Sequence, residues 1–169
     1  MKNNNMNNIQ AENQKCFDIV EKIKKYYIED NLDIYAVVAS YIFDVPYADC
    51  TLDTQSPKNI ARRKFAKKLL LANNPFDEIY DKVCDEVLYD YASAICDSKD
   101  DLKKLIIERF PYSKDISYDY ERSLEDKFTD SCTLIASILG YCRMCDYIRE
   151  HELSDSENCV DKKTKSDLF

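Results

Sequence analysis

The sequence predicts an all-α protein, a single-domain bundle of five to seven helices around a buried central helix at about 130–147. Apolar residues recur at spacings of three and four, and no stretch alternates apolar and polar residues as a half-buried strand does. One glycine, Gly140, and four prolines leave few residues that interrupt helices. Because 45% of the residues are hydrophobic, the chain can bury a core of its own.

The helical pattern divides the chain into three segments. Residues 1–13 form an asparagine-rich leader without apolar periodicity, which we expect to be disordered. Residues 14–150 carry the helical pattern and form the predicted domain. Residues 151–169 are polar and are expected to be a loose tail.

Two apolar stripes predict the first two helices. The first stripe continues to Tyr27, and the second ends before Pro46, where the loop at 46–56 begins. The stripes consist of Cys16, Ile19, Val20, Ile23 and Tyr27, and of Ile34, Val37, Val38, Tyr41 and Ile42.

Start signals mark three middle helices. Ser56-Pro57 offers a capping hydroxyl before a proline at the first helical position, and Asn74-Pro75 repeats that arrangement. Ser98, with Asp101 three residues later, resembles a capping box. The second of these helices has a stripe that continues to Ile95, and a loop at 111–120 follows the third. Their stripes include Ala61, Phe65, Leu69, Phe76, Ile79, Tyr80, Val83, Val87, Tyr91, Ala94, Leu102, Leu105, Ile106 and Phe110.

The last helix is predicted at about Leu124–Glu150. Its centre, CTLIASILGYC, is the most apolar stretch of the chain and is apolar on nearly every side. A helix of that kind is typical of the middle of a bundle, so we expect the other helices to surround it.

The charge of the chain is acidic and uneven. With 24 basic and 32 acidic residues the net charge is −8, which disfavours direct binding of nucleic acid. Residues 1–75 carry a net charge of about +2, and the acidic excess lies in residues 76–169. The acidic half is either a solvated surface or an imitation of a polyanion.

The cysteines and the amino terminus indicate a reducing location. The start, MKNNNMNNIQ, has neither an apolar run nor a cleavage site of the secretory type, and no stretch is long and apolar enough to span a bilayer. We therefore expect a cytoplasmic protein that does not contact membranes. The eight cysteines are then expected to be reduced and to act mostly as packing residues.

One cysteine pattern has the donors of a zinc site. Cys142 and Cys145 form a CxxC, and His151 and Cys159 complete C-x2-C-x5-H-x7-C. Thiolates and one imidazole can hold zinc tetrahedrally, but this CxxC lies inside a predicted helix without the glycine turns of zinc knuckles. Zinc and a redox dithiol stay alternatives; we predict structural thiols, no metal and no cofactor.

The third predicted helix carries six cations without an intervening acid: Lys58, Arg62, Arg63, Lys64, Lys67 and Lys68. They are either a site for phosphate or an acidic partner, or a solvated face that pairs with the acidic half. We expect Arg62, Arg63 and Lys67 to face solvent. The candidate partner-binding residues are Lys58, Arg62, Arg63, Lys67, Phe76 and Tyr80, and the helices at 58–72 and 76–95 are the expected walls of any groove.

Two segments in the same region resemble the fingers of family A DNA polymerases over 33–72. They are DIYAVVASYIFDVPY at 33–47 and RRKFAK at 62–67. The resemblance aligns Arg63 and Lys67 with an Arg and a Lys that face the triphosphate in that family. The family's glycine and Tyr-Gly continuation is absent, and no palm carboxylates are present for two-metal chemistry. The resemblance therefore does not imply polymerisation.

The final helix resembles the central helix of the poxvirus Bcl-2-like immune modulators. The matching segment is FTDSCTLIASILGYCRMCDYI at 128–148, with a core at 138–142 and Tyr147 where the family often has Trp. Many Asp, Ile, Asn and Tyr residues and no Trp fit proteins of AT-rich large DNA viruses. That family usually places two further helices after this one, where this chain has about twenty residues. The resemblance implies a helical modulator of host cell-death or innate immune signalling.

The predicted function is that of a non-enzymatic protein–protein interaction module. No Ser/His/Asp set or other catalytic constellation is recognisable, and His151, the single histidine, lies in a charged segment. We expect a host or target protein as partner, bound through an amphipathic helix in a surface groove. The chain can also form a homodimer. The alternative is an acidic anti-defence inhibitor that blocks a nucleic-acid-binding protein.

Overall fold

The structure, a computed structural model, describes residues 2–53, 56–72, 75–88, 95–112 and 122–166. These residues form six α-helices and one 3-10 turn, with no strand among them, which confirms the all-α helical bundle. Most of the predicted loop at 111–120, and Tyr91 and Ala94 of the predicted stripe, lie outside the described residues. The elements are α1 (Lys2–Glu29), α2 (Ile34–Phe43), the 3-10 turn (Tyr47–Cys50), α3 (Pro57–Leu71), α4 (Phe76–Leu88), α5 (Lys99–Arg109) and α6 (Leu124–Ser166).

The most enclosed helix is α2. Helices α1, α3 and α5 and the 3-10 turn all pack on it, and none of its ten residues is exposed. Ala36 and Ala39 let neighbouring helices approach closely, while branched residues fill the space between them. The buried residues of α2 are Ile34, Ala36, Val37, Val38, Ala39 and Ile42.

Helix α6 contacts α1, α3 and α5 with one face only. The prediction that other helices surround 130–147 is therefore wrong. As far as Gly140 the opposite face consists of small or weakly polar residues, which raise the average hydropathy of the segment but gain little from burial, and the larger Met144 and Tyr147 follow. The buried face contains Phe128, Ser131, Leu134, Ile135, Ile138, Leu139 and Cys142; the exposed face contains Thr133, Ala136, Ser137, Gly140, Met144 and Tyr147.

Both ends of the chain are more helical than the sequence predicted. Helix α1 begins at Lys2, so the disorder expected for 1–13 is wrong, and α6 continues to Ser166 through the segment expected to be a loose tail. Neither 2–29 nor 141–166 contains glycine or proline. Once a helix is nucleated, each added residue forms another hydrogen bond, so polar residues extend it in the absence of a breaker.

The caps of the helices agree in part with the start signals. Ser98 Oγ accepts a hydrogen bond from the Asp101 amide at 3.1 Å, as in a capping box. Ser56 occupies the N-cap position of α3, but its hydroxyl makes no capping bond, which corrects the prediction. At the start of α2, the Asp33 carboxylate accepts from the Tyr35 amide at 3.0 Å and the Ala36 amide at 3.5 Å.

Candidate functional site

The basic residues of α3 do not form one face. Arg62 points toward the 3-10 turn, where its Nη1 donates to the Asp49 carbonyl at 3.4 Å and to Asn59 Oδ1 at 3.3 Å. Lys64 and Lys68 point toward α4 instead. Lys58 is exposed near the start of the helix. The six cations therefore serve at least two separate sets of contacts.

Arg63 joins α3 to the start of α2. Its Nε donates to Asp33 Oδ2 at 2.6 Å, its guanidinium lies 5.4 Å from the Tyr35 ring centroid, and its side chain is 15% exposed. Lys67 lies 5.7 Å from the same ring and is exposed. The expectation that Arg62 and Arg63 face solvent is wrong, because both side chains are half-buried contacts between elements; Lys67 does face solvent.

Phe76 and Tyr80, predicted to contact a partner, are held inside the bundle. The Phe76 ring packs edge-to-face at 5.9 Å from Phe65 and 4.6 Å from Phe128, joining α3, α4 and α6. Tyr80 donates its hydroxyl to the Cys96 carbonyl at 2.8 Å. Burial, followed by the hydrogen bond with Cys84, raises the pKa of Tyr80 to about 12. Both aromatic residues therefore position α4 rather than present a free surface.

A groove of about 700 Å³ lies between α3 and α4, the helices named from the sequence as its walls. Its apolar side chains are Leu71, Ala72 and Ile79. Its charged side chains among the described residues, which we call the lysine rim, are Lys64, Lys67, Lys68 and Lys82, together with the acid Glu86. The groove therefore combines an apolar strip with a local excess of positive charge.

Glu86 fixes two of the rim lysines. Its carboxylate pairs with Lys64 Nζ at 2.9 Å and with Lys68 Nζ at 3.4 Å. The hydrogen bond from Lys64 lowers the pKa of Glu86, so this carboxylate stays ionised at neutral pH. On α4, Lys82 pairs with Glu78 at 2.6 Å one turn earlier in the helix. These exposed pairs orient the rim, but each contributes little to stability.

Of the candidate binding residues, the groove includes only Lys67. Arg62, Arg63, Phe76 and Tyr80 are used by other contacts, and Lys58 does not line the groove. Sequence reasoning missed Leu71 and Lys82. Leu71 is apolar but does not belong to the buried stripe of α3. An apolar residue outside the stripe is expected to be exposed, and this could have identified Leu71 as a binding residue.

The residues of the alternative zinc pattern are spread around α6. Cys142 is buried and Cys145 is half-buried, while the exposed His151 ring stacks on Tyr147 with centroids 3.8 Å apart. The side chain of Cys159 lies outside the described residues. In the part of the chain that the structure describes, no three His, Cys, Asp or Glu residues are placed to hold a metal ion.

The thiols of Cys16, Cys132 and Cys142 are poor nucleophiles. Burial raises the pKa of Cys16 and Cys142 to about 11 and that of Cys132 to about 12. A thiol with such a pKa is protonated at neutral pH, and only the thiolate attacks or binds metal. These cysteines therefore act as small apolar packing residues.

No helix within the described ranges has both the length and the apolar character needed to cross a bilayer.

The two family resemblances stay predictions that rest on the residues given above. Comparison of the chain with protein-family models, with curated proteins and with solved structures finds no match to any of them.

Proposed function

We propose that this protein is a non-enzymatic interaction module that binds an acidic amphipathic helix in the groove between α3 and α4. The observation that carries the proposal is the apolar strip flanked by the lysine rim. Helix-in-groove recognition requires this combination, because apolar anchors of the guest fill the floor while its polar flanks meet the rim.

The apolar part of the groove supplies the affinity. Leu71 is 41% exposed, and Ala72 and the buried Ile79 lie beside it in the same groove. An isoleucine or leucine of the guest that covers Leu71 removes apolar surface from water on both partners. Apolar anchors at positions i, i+3, i+4 and i+7 of the guest follow the direction of such a groove.

The charged part of the groove supplies partner choice. Among the described residues four lysines and one glutamate line it, in a chain whose net charge is −8. Acidic residues on both flanks of a guest helix meet this rim favourably, and basic residues are repelled. Because rim charges act mainly through long-range attraction, salt should slow association more than it speeds dissociation.

The resemblance to the poxvirus Bcl-2-like modulators supports the same mode of binding and a host signalling protein as the partner. The alternative, an acidic inhibitor that imitates a polyanion, needs free carboxylates. In α4 and α5, Glu78 pairs with Lys82, and Asp81 pairs with Lys99 at 3.0 Å. We favour the groove because a polyanion mimic has no use for its apolar strip, which includes the exposed Leu71.

The test uses a fluorescein-labelled helical peptide of about four turns, with leucines at i, i+3, i+4 and i+7 and glutamates on both flanks. Fluorescence anisotropy measures its affinity for the full chain at low and high salt. We expect the peptide to bind at least about tenfold more tightly than a version with lysines in place of the glutamates. Equal binding of the two peptides would contradict the proposal.

Matched variants locate the binding site. Lys82→Glu should weaken binding about tenfold. Lys25→Glu on α1 should not, although both lysines are exposed and belong to ion pairs four residues apart. Leu71→Asp should abolish binding, whereas Leu52→Asp, which changes an exposed leucine elsewhere, should leave it intact. Equal losses in a variant and its control would place the peptide outside the groove.

A further inference from the structure

Glu86, the acid among the described lining residues of the groove, contacts two rim lysines at once. Lys64 Nζ donates to Glu86 Oε2 at 2.9 Å, and Lys68 Nζ donates to Glu86 Oε1 at 3.4 Å. Both lysines lie on α3 and Glu86 lies on α4, so the carboxylate bridges the two walls of the groove. A carboxylate of the chain itself therefore stands between the two ammonium groups, where a guest carboxylate would bind.

The other two rim lysines are held in a different way. Lys82 pairs with Glu78 on its own helix at 2.6 Å, and Glu78 does not line the groove. Lys67 lies 5.7 Å from the Tyr35 ring centroid. Neither arrangement places a carboxylate across the groove, which distinguishes the contacts of Glu86 from the other contacts of the rim.

We propose that Glu86 is an internal competitor for the acidic guest and determines which guests the groove accepts. This inference rests on the proposed function. A guest carboxylate that binds Lys64 and Lys68 replaces one carboxylate by another, so the exchange of ion pairs gains little. Because Glu86 is part of the chain, it returns to its lysines at a high effective concentration. Apolar contacts must therefore supply most of the affinity, and acidic segments that lack apolar anchors are rejected.

The competitor is held in place but can be displaced. The hydrogen bond from Lys64 lowers the pKa of Glu86, so the carboxylate is ionised at neutral pH. Lys64, Lys68 and Glu86 are all partly exposed. Water therefore screens the two ion pairs, and Glu86 can leave its lysines without becoming a buried, unpaired charge.

The spacing of α3 determines which guest acid competes with Glu86. Lys64 and Lys68 lie seven and three residues before Leu71, which is about 10.5 and 4.5 Å along the helix axis. A guest acid that reaches both lysines therefore lies one to two turns from the guest leucine that covers Leu71. An acid at the same distance on the other side of that leucine reaches neither lysine.

A cycle of substitutions in the chain and the guest tests the competition. Two fluorescein-labelled peptides share the apolar anchors and carry a single glutamate, one to two turns before the central leucine in one peptide and after it in the other. Each has a counterpart with glutamine. Fluorescence anisotropy compares their affinities for the full chain and for Glu86→Gln. Using both peptides covers both directions in which a guest can lie in the groove.

We expect one of the two glutamates to compete with Glu86. In the unchanged chain it should alter the affinity less than about twofold, and in Glu86→Gln it should tighten binding about fivefold. The glutamate of the other peptide should contribute equally to binding in both chains. Because the ion pairs of Glu86 are exposed, the circular dichroism melt of Glu86→Gln should match that of the unchanged chain.

Asp85→Asn is the matched control. Asp85 precedes Glu86 on α4 and is exposed but does not line the groove, so its substitution changes the net charge equally without freeing the two lysines. The contribution of either glutamate should be the same in Asp85→Asn as in the unchanged chain. Equal changes in Asp85→Asn and Glu86→Gln, or no change in either peptide, would overturn the competition and leave the groove intact. Failure of every peptide to bind any of these chains would contradict the proposed function as well.

Discussion

Helix α2 and the centre of α6 are both strongly apolar in sequence, yet no residue of α2 is exposed, whereas the bundle covers only one face of α6. In α2 the consecutive residues Ala36, Val37, Val38 and Ala39 are all buried, and they lie about 100° apart around the axis, so each neighbouring helix finds an apolar partner. In α6 the large buried residues share one side, and alanine, serine, threonine and glycine fill much of the other. The number of sides on which a helix packs against its neighbours, rather than average hydropathy, distinguishes a central helix from a surface helix.

The largest expected effect is in α2. Val38→Asp should unfold the domain, because an unpaired carboxylate at this fully buried position costs several kcal/mol of the ~5–15 kcal/mol that stabilise a domain. Soluble yield and the circular dichroism melt are the measurements. Val38→Ala should fold and lose roughly 2 kcal/mol. A Val38→Asp protein that melts cooperatively at an unchanged temperature would refute the central position of α2.

The second effect separates the two faces of α6 at adjacent residues. Ile135→Asp should destabilise the domain by several kcal/mol, because Ile135 is buried. Ala136→Asp should cost less than about 1 kcal/mol, mainly through helix propensity, because Ala136 is exposed. Urea unfolding at a concentration where the chain is monomeric measures both. Similar losses in the two variants would mean that α6 is enclosed after all.

The third and smallest effect compares the caps of the two helices. Asp33→Ala removes two capping bonds of α2 and the ion pair with Arg63, so we expect a loss of about 2 kcal/mol. Ser123→Ala removes two exposed bonds, one accepted from the Asp126 amide at 3.1 Å and one donated to the Asp126 carboxylate at 2.8 Å, and should cost about 1 kcal/mol or less. Urea denaturation resolves the difference. A larger loss for Ser123→Ala would reverse the ranking.

Sequence reasoning predicted the helices well because helix formation leaves a local apolar period. The stripes that end at Tyr27 and Ile42 lie in α1 and α2, and the start at Pro57 agrees with α3. Sequence reasoning did not identify α2 as the central helix, because the burial of a whole helix depends on how the helices pack against one another. Ser56 is a second example. It is a favoured residue at the N-cap position of α3, but its hydroxyl does not form the capping bond.

The candidate site was harder to predict than the fold. The two walls of the groove were anticipated, but its apolar strip combines Leu71 and Ile79 from different helices in a relative position that no local pattern specifies. The prediction that Arg63 faces solvent was wrong for a similar reason. Its partner Asp33 lies thirty residues earlier in the chain, so the contact exists only after α2 and α3 pack together.

The carboxylate of Asp33 has a consequence for how the molecule opens. One oxygen receives the first amides of α2, and the other receives Arg63 of α3. The initial turn of the most enclosed helix therefore depends on the helix that forms one wall of the groove. Detaching α3 removes a partner of that carboxylate and loosens the start of α2. We therefore expect the start of α2 and the adjoining part of α3 to exchange their amide hydrogens together, as one cooperative unit beside the groove.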